Sequence, residues 1–184
     1  MGSAYGDEFK PIINGIGRLT ILDPSEYFSG SNMVFRTPCK YIKPDPSGRM
    51  PFKDSTFNLI LCLGVMHHIP NVSYVMGECF RCLDANGLML LREPITSRGD
   101  WRKKRPKMTK RERGIPLKVL DTIVKSEGFK VKNKALCVFP IIPRLSQRLG
   151  VAAYNNAVLT IVDEIICRMF FWNVRYHRTK LHEK

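Results

Sequence analysis

Hydrophobic residues along this chain fall into short runs, and the spacing inside each run sets the element it predicts. Phe57-Asn58-Leu59-Ile60-Leu61-Cys62-Leu63 is almost uninterrupted and apolar. A run of this length bounded by turn signals predicts a strand buried on both faces, as in a parallel sheet covered by helices. Pro51, Lys53, Asp54 and Ser55 lead into it; Gly64, the pair His67-His68 and Pro70 follow. In open parallel sheets, ligands bind outside the carboxyl ends of the strands. The stretch is therefore expected to deliver a loop to a binding site.

Other runs fill in an alternating α/β order. Leu19 to Leu22 reads as a short strand and Tyr41-Ile42-Lys43 as a weak one. Gly87 to Pro94 reads as a strand, after a helix over Tyr74 to Leu83. Leu117, Leu120, Ile123 and Val124 form a helical stripe within Pro116 to Glu127, and Gly128 closes it. Phe129 to Lys132 begins a strand that Ala135 to Phe139 continues or pairs with. At the start, Gly2-Ser3-Ala4-Tyr5-Gly6 enters a helix from Asp7, which Asn14-Gly15-Ile16-Gly17 ends. Val151 to Tyr176 is strongly helical and apolar, interrupted by Asp163, Glu164 and Arg168. Such a helix packs on the sheet or on another subunit. The other option is an anionic membrane surface, with Arg175, His177, Arg178 and Lys180 at its end.

Length and composition narrow this picture. The 184 residues suffice for one domain with a real core, and a hydrophobic fraction of 44% argues against wholesale disorder. The organisation expected is a main domain over 1–150 and a C-terminal apolar and basic helix over 151–184. A net charge of +14 favours anionic partners: nucleic acid, an anionic membrane or an acidic substrate. It equally describes a solvated basic surface. Cys39, Cys62, Cys79, Cys82, Cys137 and Cys167 are scattered, several inside apolar runs, with no signal-peptide pattern before them. That reads as reduced, cytoplasmic thiols. No apolar run reaches the length of a transmembrane helix.

Several residues carry candidate chemistry. Asp23, with Pro24 after it, ends the Leu19–Leu22 run; it could accept hydrogen bonds from ribose hydroxyls or cap the next helix near Ser25-Glu26. Asp45 stands in Lys43-Pro44-Asp45-Pro46-Ser47-Gly48, which is also plain turn chemistry. Histidines 67 and 68 could orient a substrate or act as a base, or one could pack while the other caps a helix. As metal ligands they are poor, because adjacent side chains diverge and no acid or thiol cluster accompanies them. Cys79 and Cys82 share a helix face and read as buried thiols. Glu93, at a strand's carboxyl end, could face substrate or pair with an arginine. The basic stretch Arg98 to Arg113, with Trp101, could hold nucleic acid or a substrate phosphate, or be a solvated loop.

Pro51-Phe52, the Asp/Ser loop, Phe57-Asn58-Leu59-Ile60 and Val65-Met66-His67-His68-Ile69-Pro70 together resemble the fourth strand and following loop of class I S-adenosyl-L-methionine-dependent methyltransferases, of the type 11 group. Asn58 stands where the family has aspartate. The helix, Gly128-Phe129 and strand that follow are similar too. The resemblance implies a Rossmann-like, mostly parallel sheet flanked by helices. It implies S-adenosyl-L-methionine as methyl donor and a small-molecule, sugar (glycan) or lipid acceptor. The glycine-rich loop would be Gly2, Ala4 and Gly6, in the form G-x-A-x-G, with Asp23 at the ribose, Asp45 at the adenine, and Pro24 and, from the central loop, Leu63 also on the cofactor. His67, His68 and Glu93 would be on the acceptor side. Two departures accompany it. Only Met1 precedes the glycine loop, so the family's first strand has no counterpart, and two strand edges and part of the core are expected to be exposed. No closing strand is visible after the C-terminal helix. Two other classes stay open: a cofactor-free methyltransferase-like binding or regulatory subunit, and a basic nucleic-acid-binding module.

Overall fold

The computed structural model describes residues 1, 6–25, 32–95, 114–139, 141–150, 156–170 and 176–183. A 3-10 helix spans Asp7–Gly15, followed by β1 (Leu19–Leu22), β2 (Met33–Val34), β3 (Thr37–Ile42) and β4 (Phe57–Leu63). Then come a short 3-10 turn (Met66–His68), α1 (Val72–Cys82), β5 (Leu83–Pro94), α2 (Leu117–Ser126) and β6 (Phe129–Cys137). The chain continues through α3 (Ile141–Arg148), α4 (Ala157–Met169) and β7 (Tyr176–Glu183). Pro11 stands inside the first helix, where its missing N–H forbids a regular α-helical ladder. Ile16, in extended conformation, ends that helix, rather than a glycine cap.

The strands form two sheets where one was expected. One has the order β1-β3-β2 and the other β4-β5-β7-β6. The pairs β1–β3 and β4–β5 are parallel, and β7 runs antiparallel to both β5 and β6. Alternation along the strands shows that both sheets occupy one layer. Ile21 and Leu61 point into a core cluster with Phe9, Leu19, Val34 and Cys39. Leu22, Ile60 and Cys62 point to the opposite face, where Val75, Met76 and Cys79 of α1 and Leu120 and Val124 of α2 cover Met89 and Leu91. Each such side chain fully buried contributes roughly 1.5–3 kcal/mol relative to exposure. Between the β1 and β4 edges lies a cleft of about 870 Å³.

The loop that launches β4 is clamped from α1. The Arg81 guanidinium donates to Glu78 Oε1 (2.7 Å) and Oε2 (2.8 Å), to the Phe52 carbonyl (2.8 Å) and to Asp54 (2.8 Å). The Met50 N–H donates to Glu78 Oε2 at 2.8 Å. The Arg81 hydrogen bonds hold the Glu78 carboxyl down at about 2, against the opposing effect of burial. The loop leading into β4 is thus fixed by charge-assisted bonds.

The C-terminal part differs from expectation in two ways. First, a closing strand is present: β7 lies between β5 and β6, so residues 176–183 belong to the main sheet and not to an appended helix. Thr179 and Leu181 are buried among its described side chains. Second, α4 turns its apolar stripe outward. Val158 (68% exposed), Ile161 (59%) and Met169 (63%) face solvent, while Asp163 and Cys167 are buried. Asp163 accepts from the Val138 N–H (2.7 Å) and the Phe139 N–H (2.8 Å), tying α4 to the end of β6. Asn156 caps α4 by accepting from Val158 and Leu159.

Candidate active site

The turn after β4 is built around one carboxylate. The ladder sets Cys62 opposite Leu91 and Leu63 opposite Arg92, so Glu93 ends up beside Gly64. Gly64 adopts φ +75°, a conformation glycine reaches without penalty, and its N–H donates to the Arg92 carbonyl at 2.7 Å. The reversal aims the next three backbone N–H groups at Glu93. Val65 (2.9 Å) and Met66 (2.8 Å) donate to Oε1, and His67 (3.3 Å) donates to Oε2. The His67 ring places Nδ1 2.7 Å from the same Oε2. A carboxylate only accepts, so in the neutral imidazole the ring proton belongs on Nδ1 and Nε2 is the acceptor. Glu93 is fully buried, at 0% exposure. Among the described residues its partners are these three N–H groups, Cys62 and the His67 ring, and none is an arginine. Glu93 positions His67 and the loop.

His67 is buried, whereas His68 is exposed and its ring lies against that of His67, with centroids 3.9 Å apart. Cys62 lies under the same carboxylate. Burial first, and Glu93 second, push its thiol up to about 12, so it is no thiolate nucleophile near neutral pH. Leu63, at the end of β4, is half-buried above it.

Asp23 ends the other sheet. Its N–H donates to the Ile42 carbonyl (3.2 Å), prolonging the β1–β3 ladder by one residue, and the Ser25 N–H donates to its Oδ1 at 2.9 Å. Pro24 is exposed beside it. Leu22 and Met66, the residues before Asp23 and His67, sit in one core cluster. Gly6 has φ +77°, and a Cβ there would lie 3.0 Å from Val34 Cγ1. Gly2 and Ala4 lie outside the described residues, as does Glu26. Asp45 behaves as a turn residue: exposed, with Oδ1 accepting the Ser47 N–H at 2.8 Å, and with its carboxyl lowered by Ser47's hydrogen bonds.

The methyltransferase domain family matches residues 1–91, which contain every candidate above except Glu93. Residues 1–91 belong to the methyltransferase domain family. Solved structures with the same fold include a [4+2]-cyclase, SpnF, at 12% identity and TM-score 0.67, covering 99% of this chain and 73% of that one. A second is the PH0226 protein from Pyrococcus horikoshii OT3, at 14% identity and TM-score 0.66, covering 100% and 79%. A third is an S-adenosylmethionine-dependent methyltransferase from Mesorhizobium loti, at 12% identity and TM-score 0.63, covering 98% and 87%. At these identities the likeness fixes the fold. No curated protein matches the sequence at a significant level.

Within this methyltransferase fold, Asp23 follows the carboxyl end of β1, Leu63, His67 and His68 end or follow β4, Gly6 precedes the first helix, and Asp45 contributes a turn. Among the described residues no group of three or more His, Cys, Asp or Glu could hold a metal ion. No helix among them is long and apolar enough to cross a membrane. The cysteines, Cys79 and Cys82 included, are free thiols. The basic stretch from Arg98 to Arg113 lies outside the described residues. The Glu93–His67 pairing escaped the sequence, because it exists only once β4 and β5 lie side by side.

Proposed function

We propose that this chain transfers the methyl group of S-adenosyl-L-methionine to a small-molecule, sugar or lipid acceptor. The observation that carries the reading is the His67 imidazole, fixed by Glu93 just beyond the carboxyl end of β4, as Asp23 stands just beyond the carboxyl end of β1. The residues present suit the cofactor. Gly6 sits against Val34 at φ +77°, where a Cβ would crowd Cγ1, and Asp23 offers a carboxylate at a strand terminus. When bound, S-adenosyl-L-methionine supplies an electrophilic methyl group on a sulfonium. Asp23 would accept the ribose hydroxyls, and the backbone around Gly6 and Leu63 would line the nucleoside. His67 Nε2 would take the proton that the acceptor's oxygen or nitrogen loses as its lone pair attacks, and exposed His68 would line the acceptor's approach. Most of the rate would come from holding donor and acceptor in line.

Calorimetric titration with S-adenosyl-L-methionine and S-adenosylhomocysteine tests this directly. Micromolar binding to the chain, weakened at least about tenfold by Asp23→Ala, is the expected outcome, since a lost charge-assisted bond is worth roughly 1.5–3 kcal/mol. A folded chain that binds neither compound overturns the reading.

A further inference from the structure

Two helices late in the chain turn their apolar residues to solvent. Both α3 and α4 pack through one small cluster, in which Phe139 and Cys167 are joined by Leu136, Ile142 and Ile166. On α4, Val158, Ile161, Ile165 and Met169 recur at helical spacing and form one row, and each is more than half exposed. Leu145 on α3 and Leu149 just beyond it stand one turn apart, linked by the Leu149 N–H donating to the Leu145 carbonyl at 3.0 Å. They too are more than half exposed. Apolar residues exposed in contiguous rows, unlike single ones, mark an interaction surface.

The charges beside these rows have one sign. Arg144 and Arg148 of α3 and Arg168 of α4 are exposed. The two acids of α4 are withdrawn from the surface. Asp163 is buried against the Val138 and Phe139 N–H groups, and Glu164 is half-buried against Arg178. No acid occurs in α3. Among the described side chains of the two helices, every exposed charge is therefore positive. A second copy of the chain fits this poorly, because a twofold contact through the same face would set arginines against arginines with no acid to answer them. An anionic partner fits. The rows are ridges and not the walls of a groove, so a protein partner would have to supply the groove, whereas a bilayer surface yields to a ridge. With 13 residues, α4 is about 20 Å long. That is short of the roughly 30 Å of a hydrocarbon core, so the helix would lie along the surface.

We propose that the outward face of α3 and α4 is a docking surface for an anionic phospholipid bilayer. The apolar rows enter the boundary between headgroups and acyl chains, and Arg144, Arg148 and Arg168 stay level with the lipid phosphates. Asp163 sets the orientation: by accepting from two amides at the end of β6, it turns the opposite side of α4, with its apolar row, outward. This inference goes beyond the methyl-transfer reading and does not depend on it.

Co-sedimentation of the 184-residue chain with phosphatidylglycerol vesicles and with phosphatidylcholine vesicles, at about 0.1 M salt, tests this. Binding to phosphatidylglycerol should be at least about tenfold tighter. Two triple variants divide the effect, and both should keep a thermal midpoint near that of wild type because every changed side chain is exposed. Ile161→Gln, Ile165→Gln and Met169→Gln together should weaken binding to phosphatidylglycerol at least about tenfold. Arg144→Gln, Arg148→Gln and Arg168→Gln together should reduce the preference for the anionic lipid several-fold. In the wild-type chain, phosphatidylglycerol vesicles should slow amide exchange over α3 and α4. Absence of binding, equal binding to the two lipids, or protection confined to other elements would each overturn the proposal. So would binding that the three apolar-to-glutamine changes leave intact, which would place it on basic residues elsewhere. Self-association that those changes abolish, in place of vesicle binding, would give the surface to a second copy.

Discussion

The two halves of this layer are held by different means. In the half built on β4, β5, β7 and β6, each loop that matters is tied to a buried or clamped side chain: the turn after β4 to Glu93, the loop before it to Glu78 and Arg81. In the half built on β1, β3 and β2, turns are satisfied by their nearest neighbours, Asp23 by Ser25 and Asp45 by Ser47. Its hairpin turn, Phe35-Arg36, even holds two non-glycine residues at φ +47° and +73°. The first half fixes its site through long-range bonds. The second keeps its shape largely through the core clusters that bridge the cleft.

The largest effect should come from Glu93→Ala. It strands three backbone N–H groups and the His67 ring in the interior, and roughly 3–5 kcal/mol of stability should be lost. A lowered urea midpoint with an unchanged slope would show it. A loss below about 1 kcal/mol would mean that the loop is not organised by that carboxylate.

Arg81→Met should cost less, on the order of 1–3 kcal/mol near neutral pH, and its cost should depend on pH. Glu78 has a folded value lowered to about 2 from an ordinary 4.5. A lowered carboxyl contributes stability that is present above its unfolded value and fades as pH falls toward its folded value. The gap between wild type and variant should thus narrow between about pH 4.5 and pH 2. Urea midpoints at pH 6 and pH 3 check this, and a gap constant across that range would refute the clamp.

The smallest effect should be a gain. Val34 pairs with Thr37 across a two-residue turn, where asparagine and glycine suit positive φ. Replacing Phe35-Arg36 by Asn-Gly should stabilise by about 1 kcal/mol. If the contrast between halves holds, the gain should appear as slower amide exchange in β2 and β3 and leave the β4 turn untouched.

Much of the fold was legible because local pattern and tertiary role agreed. Phe57–Leu63 is a parallel strand, buried over Ile60–Cys62, and the stripe of Leu120 and Val124 faces the core. β7 was illegible because Leu181 is the one apolar residue in Tyr176–Glu183 after the tyrosine; its place comes from ladders on both sides. The β2–β3 hairpin hid because its turn lacks the residues its backbone prefers. For α4 the stripe was visible but its direction was not, since Asp163 is drawn inward by two backbone amides at the end of β6. The site residues were recognisable by type. Their roles were not, because Glu93 acts through a partner 26 positions away.

The cysteines give this unevenness a clock. Cys39 is buried in the smaller half, and Cys62, Cys79 and Cys82 are buried in the larger, all with thiols pushed upward chiefly by burial. None meets an alkylating reagent until its surroundings part. The mass of the chain, followed over time in such a reagent, thus records a sequence of openings, and the identity of the first modified peptide names the half that breathes first.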